Sequence, residues 1–158
     1  MMYRMHKNIL NTFLLTVAIS GYAVSPEMLK AVAMVESSNN PKAIGDSGNA
    51  LGMYQLHKPA WEQISKQREK AGLETWSWSY ALDKDISSIY ASAYMDWLSN
   101  SLRVKLKREP APWEVYAAYN RGLGGFAKAN YNFSSLPSHT QKACKKITSL
   151  TQNSNQKR

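Results

Sequence analysis

Apolar residues recur three and four positions apart along most of the chain, which is the spacing of helices with one buried face. No run of alternating apolar and polar residues is long enough to anchor a sheet. This pattern predicts a mainly α fold, in a single domain with little or no sheet. The predicted helices cover residues 25–38, 59–72, 83–106, 113–120 and 138–150.

A few capping residues set the predicted helix ends. Ser25 followed by Pro26 is typical of a helix start, because Ser caps a free N–H and Pro fits the first turn. Gly122 is expected to end the fourth helix. Ser138 with Gln141 three residues later is predicted to form a capping box before the last helix. The long third helix is predicted to bury a face made of Ile86, Ile89, Tyr90, Ala93 and Trp97.

The N-terminus differs from the rest of the chain. A short basic stretch is followed by an apolar stretch and then by small residues, which is the order of a secretory signal peptide cleaved after Ser20 or Ala23. The apolar stretch is too short for a stable membrane span. A packed N-terminal helix of a cytosolic or virion protein is the alternative. The predicted organisation is a leader over 1–23, a domain over 24–150 and a flexible basic and polar tail over 151–158, in a periplasmic or secreted protein.

Charge and composition remove several classes of function. The 158 residues carry a formal net charge of +9. Residues 1–25 hold +2 and residues 138–158 hold +5, which leaves +2 over 26–137. Because that body is nearly neutral and has no basic helix face, no nucleic-acid partner is predicted. One cysteine, Cys144, excludes an internal disulfide framework, and three scattered histidines lack zinc spacing, so neither a metal nor another cofactor is predicted.

Glu36 projects from the apolar face of the first predicted helix. At 100° per residue, its neighbours on that face are Met28, Leu29, Val32, Ala33 and Val35. Burying an unpaired carboxylate is costly. Either Glu36 reaches solvent or an Arg at the helix end, or burial raises its pKa from about 4.3 towards neutrality and makes it a general acid. Such an acid can protonate the leaving oxygen of a glycosidic bond.

Three sequence blocks, in one order, resemble the signature of the soluble lytic transglycosylase (SLT) family. They are VESSNNPKAIGDSGNALGMYQL at 35–56, AAYNRG at 117–122, and Leu136-Pro137 with Thr140 and Ile147. Together they span roughly residues 24–150. The resemblance implies a lysozyme-like domain, with helices arranged around a substrate groove.

The resemblance also assigns roles to individual residues. It makes Glu36 the single catalytic acid and places Ser37 beside it in the cleft. Tyr119 is expected to bond to the Glu36 carboxyl, and Asn120 is expected to contact a substrate N-acetyl group. Core packing is the alternative for Tyr119. The remaining assigned positions are Gly52 and Met53 at the groove floor, and Gln55 against the sugar. For Met53, core packing is the alternative.

The implied substrate is the glycan strand of peptidoglycan. In the family's reaction, Glu36 would protonate the oxygen that links MurNAc to GlcNAc, and the carboxylate would then take the proton of the MurNAc 6-hydroxyl. The product is a 1,6-anhydro-MurNAc end, and no cofactor is required. An enzyme of this kind is expected to open the wall locally for a secretion, conjugation or phage assembly.

Some positions depart from the family pattern. Residues 45–49 resemble the loop of goose-type lysozyme, in which an Asp at the position of Asp46 helps to place the hydrolytic water. His57 stands where those enzymes often carry a second acid, which weakens the comparison, and a turn residue is the alternative for Asp46. Ala143 replaces a Tyr that many members carry on the closing helix. A hydrolytic lysozyme is therefore one alternative function, and a non-catalytic wall-binding component is another.

Aromatic residues cluster between the second and third predicted helices. Trp76, Trp78 and Tyr80 occupy a stretch without helical spacing. They either stack on sugar rings or close the core beneath their loop.

Overall fold

The computed structural model describes residues 24–155. The predicted leader and the last three residues lie outside that range. The helices are α1 (Pro26–Ser37), α2 (Lys58–Lys70), α3 (Lys84–Leu106), α4 (Pro112–Lys128) and α5 (Ser138–Asn155). The strands are β1 (Ile44–Gly45), β2 (Ala50–Leu51) and β3 (Leu56–His57). The predicted mainly α class, with little sheet, is confirmed.

Buried side chains from four helices meet in one core. Val32 of α1, Leu98 of α3, Ala117 of α4 and Ile147 of α5 are each fully buried. Helix α5 packs against α1 and α4, while α2 packs against α3. The three short strands form an antiparallel sheet in the order β1-β2-β3. Within residues 24–155, no helix is both long enough and apolar enough to cross a membrane.

The helix caps bear out some of the predicted ends. Ser25 caps α1 as expected, because its Oγ accepts a hydrogen bond from the backbone N–H of Met28 at 3.1 Å. The capping box predicted at the start of α5 is wrong. The backbone N–H of Gln141 donates to the carbonyl of Pro137, and its side-chain amide donates to the carbonyl of Leu136. The cap position therefore falls one residue before Ser138, because that carbonyl already accepts the first bond of the helix.

Helix α4 continues past the predicted stop. Gly122 does leave the helical conformation, with φ 69° and ψ 158°, but helical turns resume beyond it as far as Lys128. The second segment holds Phe126, which is fully buried and packs edge-on against Trp113. Burial of this ring explains why the chain turns back into a helix, which the glycine alone did not indicate.

The buried face of α3 is rotated from the predicted one. Ile89 is 41% exposed, so that part of the prediction is wrong. The ring of Tyr90 stacks on Trp61 of α2 with the centroids 3.6 Å apart, and this contact faces the core. The buried residues are Ser87, Tyr90, Ala91, Met95, Leu98 and Leu102. Because the apolar face of α3 is broad, the sequence pattern does not fix which part of it is buried. The elements packed against the helix decide that.

Helix α5 also runs beyond the predicted end of the domain at Leu150. It continues to Asn155, and Thr151 is 8% exposed. The Thr151 hydroxyl donates to the carbonyl of Ile147, one turn earlier. The boundary drawn between domain and tail therefore falls inside a helix.

Candidate active site

Glu36 occupies the last turn of α1 with its side chain half-buried. One of its carboxyl oxygens, Oε1, accepts a hydrogen bond from the hydroxyl of Tyr116 on α4 at 2.9 Å. Burial raises the pKa of Glu36, because removal from water disfavours the charged form, and the Tyr116 bond offsets part of that rise. A carboxyl that keeps its proton at higher pH than usual is suited to act as a general acid.

The tyrosine that binds Glu36 is not the predicted one. The hydroxyl of Tyr119 donates to the backbone carbonyl of Tyr54 at 2.6 Å, so the expected bond from Tyr119 to Glu36 is wrong. Tyr116 lies one turn earlier on the same face of α4, and the two rings stack with their centroids 6.4 Å apart. Residues three apart share a helix face, so the sequence motif alone could not decide which hydroxyl reaches α1.

Both tyrosines remain neutral donors over the pH range in which a carboxyl titrates. Burial and the nearby Glu36 carboxyl raise the pKa of Tyr116, and burial likewise raises the pKa of Tyr119 well above its usual value. The hydroxyl of Tyr116 therefore supplies a hydrogen to Glu36 rather than a second charge.

The segment after α1 is held against Glu36 by its neighbouring serine. The hydroxyl of Ser37 donates to the backbone carbonyl of Met53 at 2.8 Å and accepts from the N–H of Asn40. Ser37 therefore fixes the loop, in addition to its predicted place in the cleft. Met53 itself is 7% exposed and belongs to the core, as the alternative interpretation of this residue predicts.

Gly52 is required by a close approach within the protein. Its φ is +75°, and a Cβ atom there would lie 1.8 Å from the carbonyl oxygen of Ala81. Any side chain would therefore separate the loop from the 78–82 turn. The glycine shapes the site through this backbone contact.

Gln55, Tyr119 and Asn120 line one surface pocket of about 240 Å³. His57, Tyr94 and Gly122 line the same pocket. Gln55 adopts φ 47° and donates its side-chain amide to the carbonyl of Gly52 at 2.8 Å. Asn120 accepts a hydrogen bond from the hydroxyl of Thr140 at 2.9 Å.

The tertiary structure thus brings together three of the predicted site residues, Gln55, Tyr119 and Asn120. His57 and Tyr94 were not predicted as part of this pocket. Glu36 is not among the residues that line this pocket. Tyr119, which lines it, stacks on Tyr116, and the Tyr116 hydroxyl binds Glu36. Amides, hydroxyls and aromatic faces at one pocket are suited to bind a sugar.

Asp46 directly follows β1 in the chain. Its Oδ2 is 3.9 Å from Nδ1 of His57, and both side chains are more than half exposed. The sheet explains the pairing, because Gly45 pairs with Ala50 and Ala50 pairs with His57. Asp46 and the next residue have positive φ, which is uncommon outside glycine.

Two of the aromatic residues before α3 make structural contacts. The indole N–H of Trp78 donates to the carbonyl of Leu56, and the carbonyl of Trp76 accepts from the indole of Trp61. Both indoles are partly buried against the core. Tyr80 is 47% exposed. For the two tryptophans these contacts favour closure of the core beneath the loop.

Over residues 24–155, no group of three or more His, Cys, Asp or Glu side chains is placed to hold a metal ion.

The family model for the Transglycosylase SLT domain matches residues 13–141. The chain belongs to the SLT family. A similar curated protein is the membrane-bound lytic murein transglycosylase C of Photorhabdus laumondii subsp. laumondii, which is 31% identical over 105 residues. That alignment covers 65% of this chain and 29% of the relative, so the chain spans less than a third of the relative's length.

The SLT match starts before the predicted domain. It begins at residue 13, whereas the domain was predicted to begin at residue 24. Residues 13–23 are therefore included both in the family match and in the predicted leader.

Proposed function

We propose that this SLT-family chain is a peptidoglycan lytic transglycosylase and that Glu36 is its catalytic acid. The observation that carries the proposal is a half-buried carboxyl with a raised pKa that accepts a hydrogen bond from the neutral hydroxyl of Tyr116. The Tyr116 ring stacks on Tyr119, which lines a pocket together with Gln55 and Asn120. Family membership and the similarity to a lytic murein transglycosylase support peptidoglycan as the substrate.

The proposed reaction uses one carboxyl twice. Protonated Glu36 donates its proton to the oxygen between MurNAc and GlcNAc as the bond to the MurNAc C1 breaks. The substrate's own N-acetyl group stabilises the positive charge at C1. The Glu36 carboxylate then takes the proton of the MurNAc 6-hydroxyl while that oxygen bonds to C1. This closes the 1,6-anhydro ring and restores the acid, and it requires no second carboxylate at the short distance of a retaining pair.

Product analysis tests the reaction. Peptidoglycan digested with the purified protein is analysed by mass spectrometry, with Glu36→Gln as the control for contaminating activity. We expect anhydro-MurNAc ends, which are one water lighter than reducing ends. A digest that contains only reducing ends would reject the transglycosylase reaction.

A hydrolytic lysozyme is the second candidate, and the Asp46–His57 pair favours it. These two side chains lie 3.9 Å apart, and His57 lines the same pocket as Gln55 and Asn120. A paired His and Asp can orient a water molecule for attack on C1. Reducing ends that disappear in Asp46→Asn, while Glu36 remains essential, would support this candidate.

The cellular setting is proposed separately. We place the enzyme in the periplasm or outside the cell, after removal of the leader following Ser20 or Ala23. N-terminal sequencing of the mature protein tests this: a start at residue 21 or 24 supports a leader, whereas an intact residue 13 would assign 13–23 to the domain. Local wall opening for a secretion, conjugation or phage assembly is tested by deleting the gene and scoring each process.

A further inference from the structure

The segment that leads into α1 is bound to a carboxylate on α3. The backbone nitrogen of Val24 donates its hydrogen to Oδ1 of Asp96 at 2.6 Å, between residues 72 positions apart in the sequence. That distance is below about 2.7 Å, the usual lower end for an N–H donor, and charged partners shorten such bonds. Val24 is partly buried and packs against the core. The contact therefore belongs to the folded domain.

The carboxylate of Asp96 has no cationic partner in the part of the chain that the structure describes. The ion pairs there involve four other acids, Asp46, Glu62, Glu109 and Glu114. A backbone amide supplies one hydrogen and no charge. Because a partly buried carboxylate is costly without a positive partner, the N–H of an amide offsets only part of that cost. The contact is complete as a hydrogen bond but lacks a cation.

The surroundings of Val24 are acidic rather than basic. It lines a surface cavity of about 220 Å³ together with Ser99, which lies one turn after Asp96 on α3. The charged residue in that lining is Glu109, whose carboxylate binds Arg103 at 2.6 Å. Among the residues that the structure describes, no lysine or arginine lines the cavity. A positive charge at the Val24 nitrogen therefore meets no cationic side chain in the cavity wall.

The two candidate cleavage points of the leader differ in what they make of the Val24 nitrogen. Each point follows small residues at the last and third-last leader positions, Ala18 and Ser20 in one case and Gly21 and Ala23 in the other. Cleavage at the first point leaves an amide at Val24. Cleavage at the second makes the Val24 nitrogen the α-amino group of the chain. The sequence pattern does not separate the two, but the contact on α3 does.

We propose that the leader is removed between Ala23 and Val24 and that the new α-ammonium of Val24 forms an ion pair with Asp96. Hydrolysis breaks the C–N bond, leaves the oxygen of water on the Ala23 carboxyl, and gives a Val24 amine that takes up a proton. An α-amino group with its usual pKa of about 8 is mostly protonated at neutral pH. The donor that already reaches Oδ1 thus becomes charged. This inference rests on the proposed leader removal and not on the role of Glu36.

The ion pair fastens the start of α1 to α3. Val24 directly precedes Ser25, the N-cap of α1, and Glu36 lies in the last turn of the same helix. The positive end of a helix dipole disfavours an ammonium, so a carboxylate is needed to hold one at this place. Asp96 is therefore a positioning residue for α1, and its charge becomes important only once the leader has been removed.

The mass of the mature protein tests the cleavage point. The full chain is expressed in an exporting bacterial host, and the intact mass of the exported protein identifies its first residue. A start at Val24 supports the inference. A start at Gly21 overturns it but leaves leader removal in place, whereas an uncut chain overturns both.

The reactivity of the mature amine tests the ion pair. Asp96→Asn keeps an oxygen that can accept the N–H but removes the charge. The pair keeps a proton on the amine, so acetic anhydride at about pH 6.5, where lysines stay protonated, should acylate Val24 about tenfold faster in Asp96→Asn than in the parent. Asp85→Asn is the matched control, because Asp85 is an exposed acid on the same helix, and it should react at the parent rate. Equal rates in all three proteins would overturn the pair.

A thermal cycle separates charge pairing from a simple hydrogen bond. In the mature protein, Asp96→Asn should lower the melting temperature by about 4 °C. After the Val24 amine has been acetylated, the same substitution should lower it by less than about half as much, because an amide has no charge to lose. Asp96→Glu, which keeps the charge, should recover part of the loss. Equal losses with the free and the acetylated amine would overturn the inference, whether or not the protein cleaves peptidoglycan.

Discussion

Two glutamates on helices of this protein meet opposite surroundings. Glu114, in the first turn of α4, is 1% exposed, and both of its oxygens bind the guanidinium of Arg108 at 2.6 and 2.8 Å. It also accepts from the backbone N–H of Ala111 at 2.7 Å. Glu36, in the last turn of α1, is half-buried and receives a bond from one neutral hydroxyl.

The difference shows how burial affects the pKa of a carboxyl with and without a cationic partner. Burial opposes charge at both sites, but at Glu114 the Arg108 and backbone bonds outweigh it and lower the pKa. At Glu36 burial prevails and raises the pKa. Glu114, the less solvent-exposed of the two side chains, is the one whose pKa is lowered. Its bonds to a cation and to a backbone N–H, which the contacts of Glu36 do not include, separate this structural carboxylate from the candidate acid.

The largest expected effect is the loss of activity in Glu36→Gln. Amide replacement keeps the shape but removes the proton, so peptidoglycan cleavage should fall about 10³-fold, the usual contribution of a general acid. Turbidity loss of cell walls measures it, and the melting temperature should not fall, because a poorly solvated charge is removed. Cleavage at the parent rate would show that the contrast with Glu114 has no catalytic meaning.

Glu114→Gln should do the reverse, by lowering stability and sparing activity. The variant loses charge-assisted bonds to Arg108 and should unfold about 2 kcal/mol more easily, as seen by urea denaturation. Glu109→Gln is the control, since its bond to Arg103 is at the surface and should contribute less than about 1 kcal/mol. Equal losses in the two variants would contradict the buried character of the Glu114 site.

The two stacked tyrosines sharpen the assignment at Glu36. Tyr116→Phe removes the donor to the carboxyl and should lower kcat about tenfold. Tyr119→Phe instead removes the hydrogen bond to the carbonyl of Tyr54. It should lower the melting temperature or raise KM, and it should change kcat less than Tyr116→Phe does. Steady-state kinetics on soluble glycan strands separates them, and a larger kcat effect for Tyr119→Phe would restore the motif-based assignment.

The smallest expected effect is a pair of opposite pH slopes in stability. The folded pKa of Glu36 is raised above 4.5, so its contribution is present at low pH and is lost as pH rises through the folded pKa. The folded pKa of Glu114 is lowered below 4.5, so its contribution is present above that value and is lost as pH falls. Melting of each Gln variant against the parent, between about pH 3 and 7, should give differences of opposite slope. Stability differences that change with pH in the same direction for both variants would contradict the opposite pKa shifts of Glu36 and Glu114.

The sequence predicted most of the scaffold. The place of Glu36 on an apolar helix face left two interpretations open, and the resemblance to the SLT family made Glu36 the candidate acid. The start of α1 followed from Ser25 and Pro26, because capping is a local interaction. The buried face of α3 and the second half of α4 did not follow, because Trp61 and Trp113 supply their packing from distant parts of the chain. The contact between Thr140 and Asn120 did not follow from the sequence either, although Thr140 belongs to the third block that resembles the SLT signature.

By itself the sequence determined which residue types are present and which turns they favour. An acid on an apolar stripe, glycines where the loop turns and tyrosines on one helix face all follow from local spacing. Only the tertiary structure decided that Tyr116 rather than Tyr119 reaches Glu36, and that Arg108 covers Glu114. The physical reason is that spacing fixes a side chain's direction around its own helix, whereas a pKa depends on what the neighbouring elements bring to the other side.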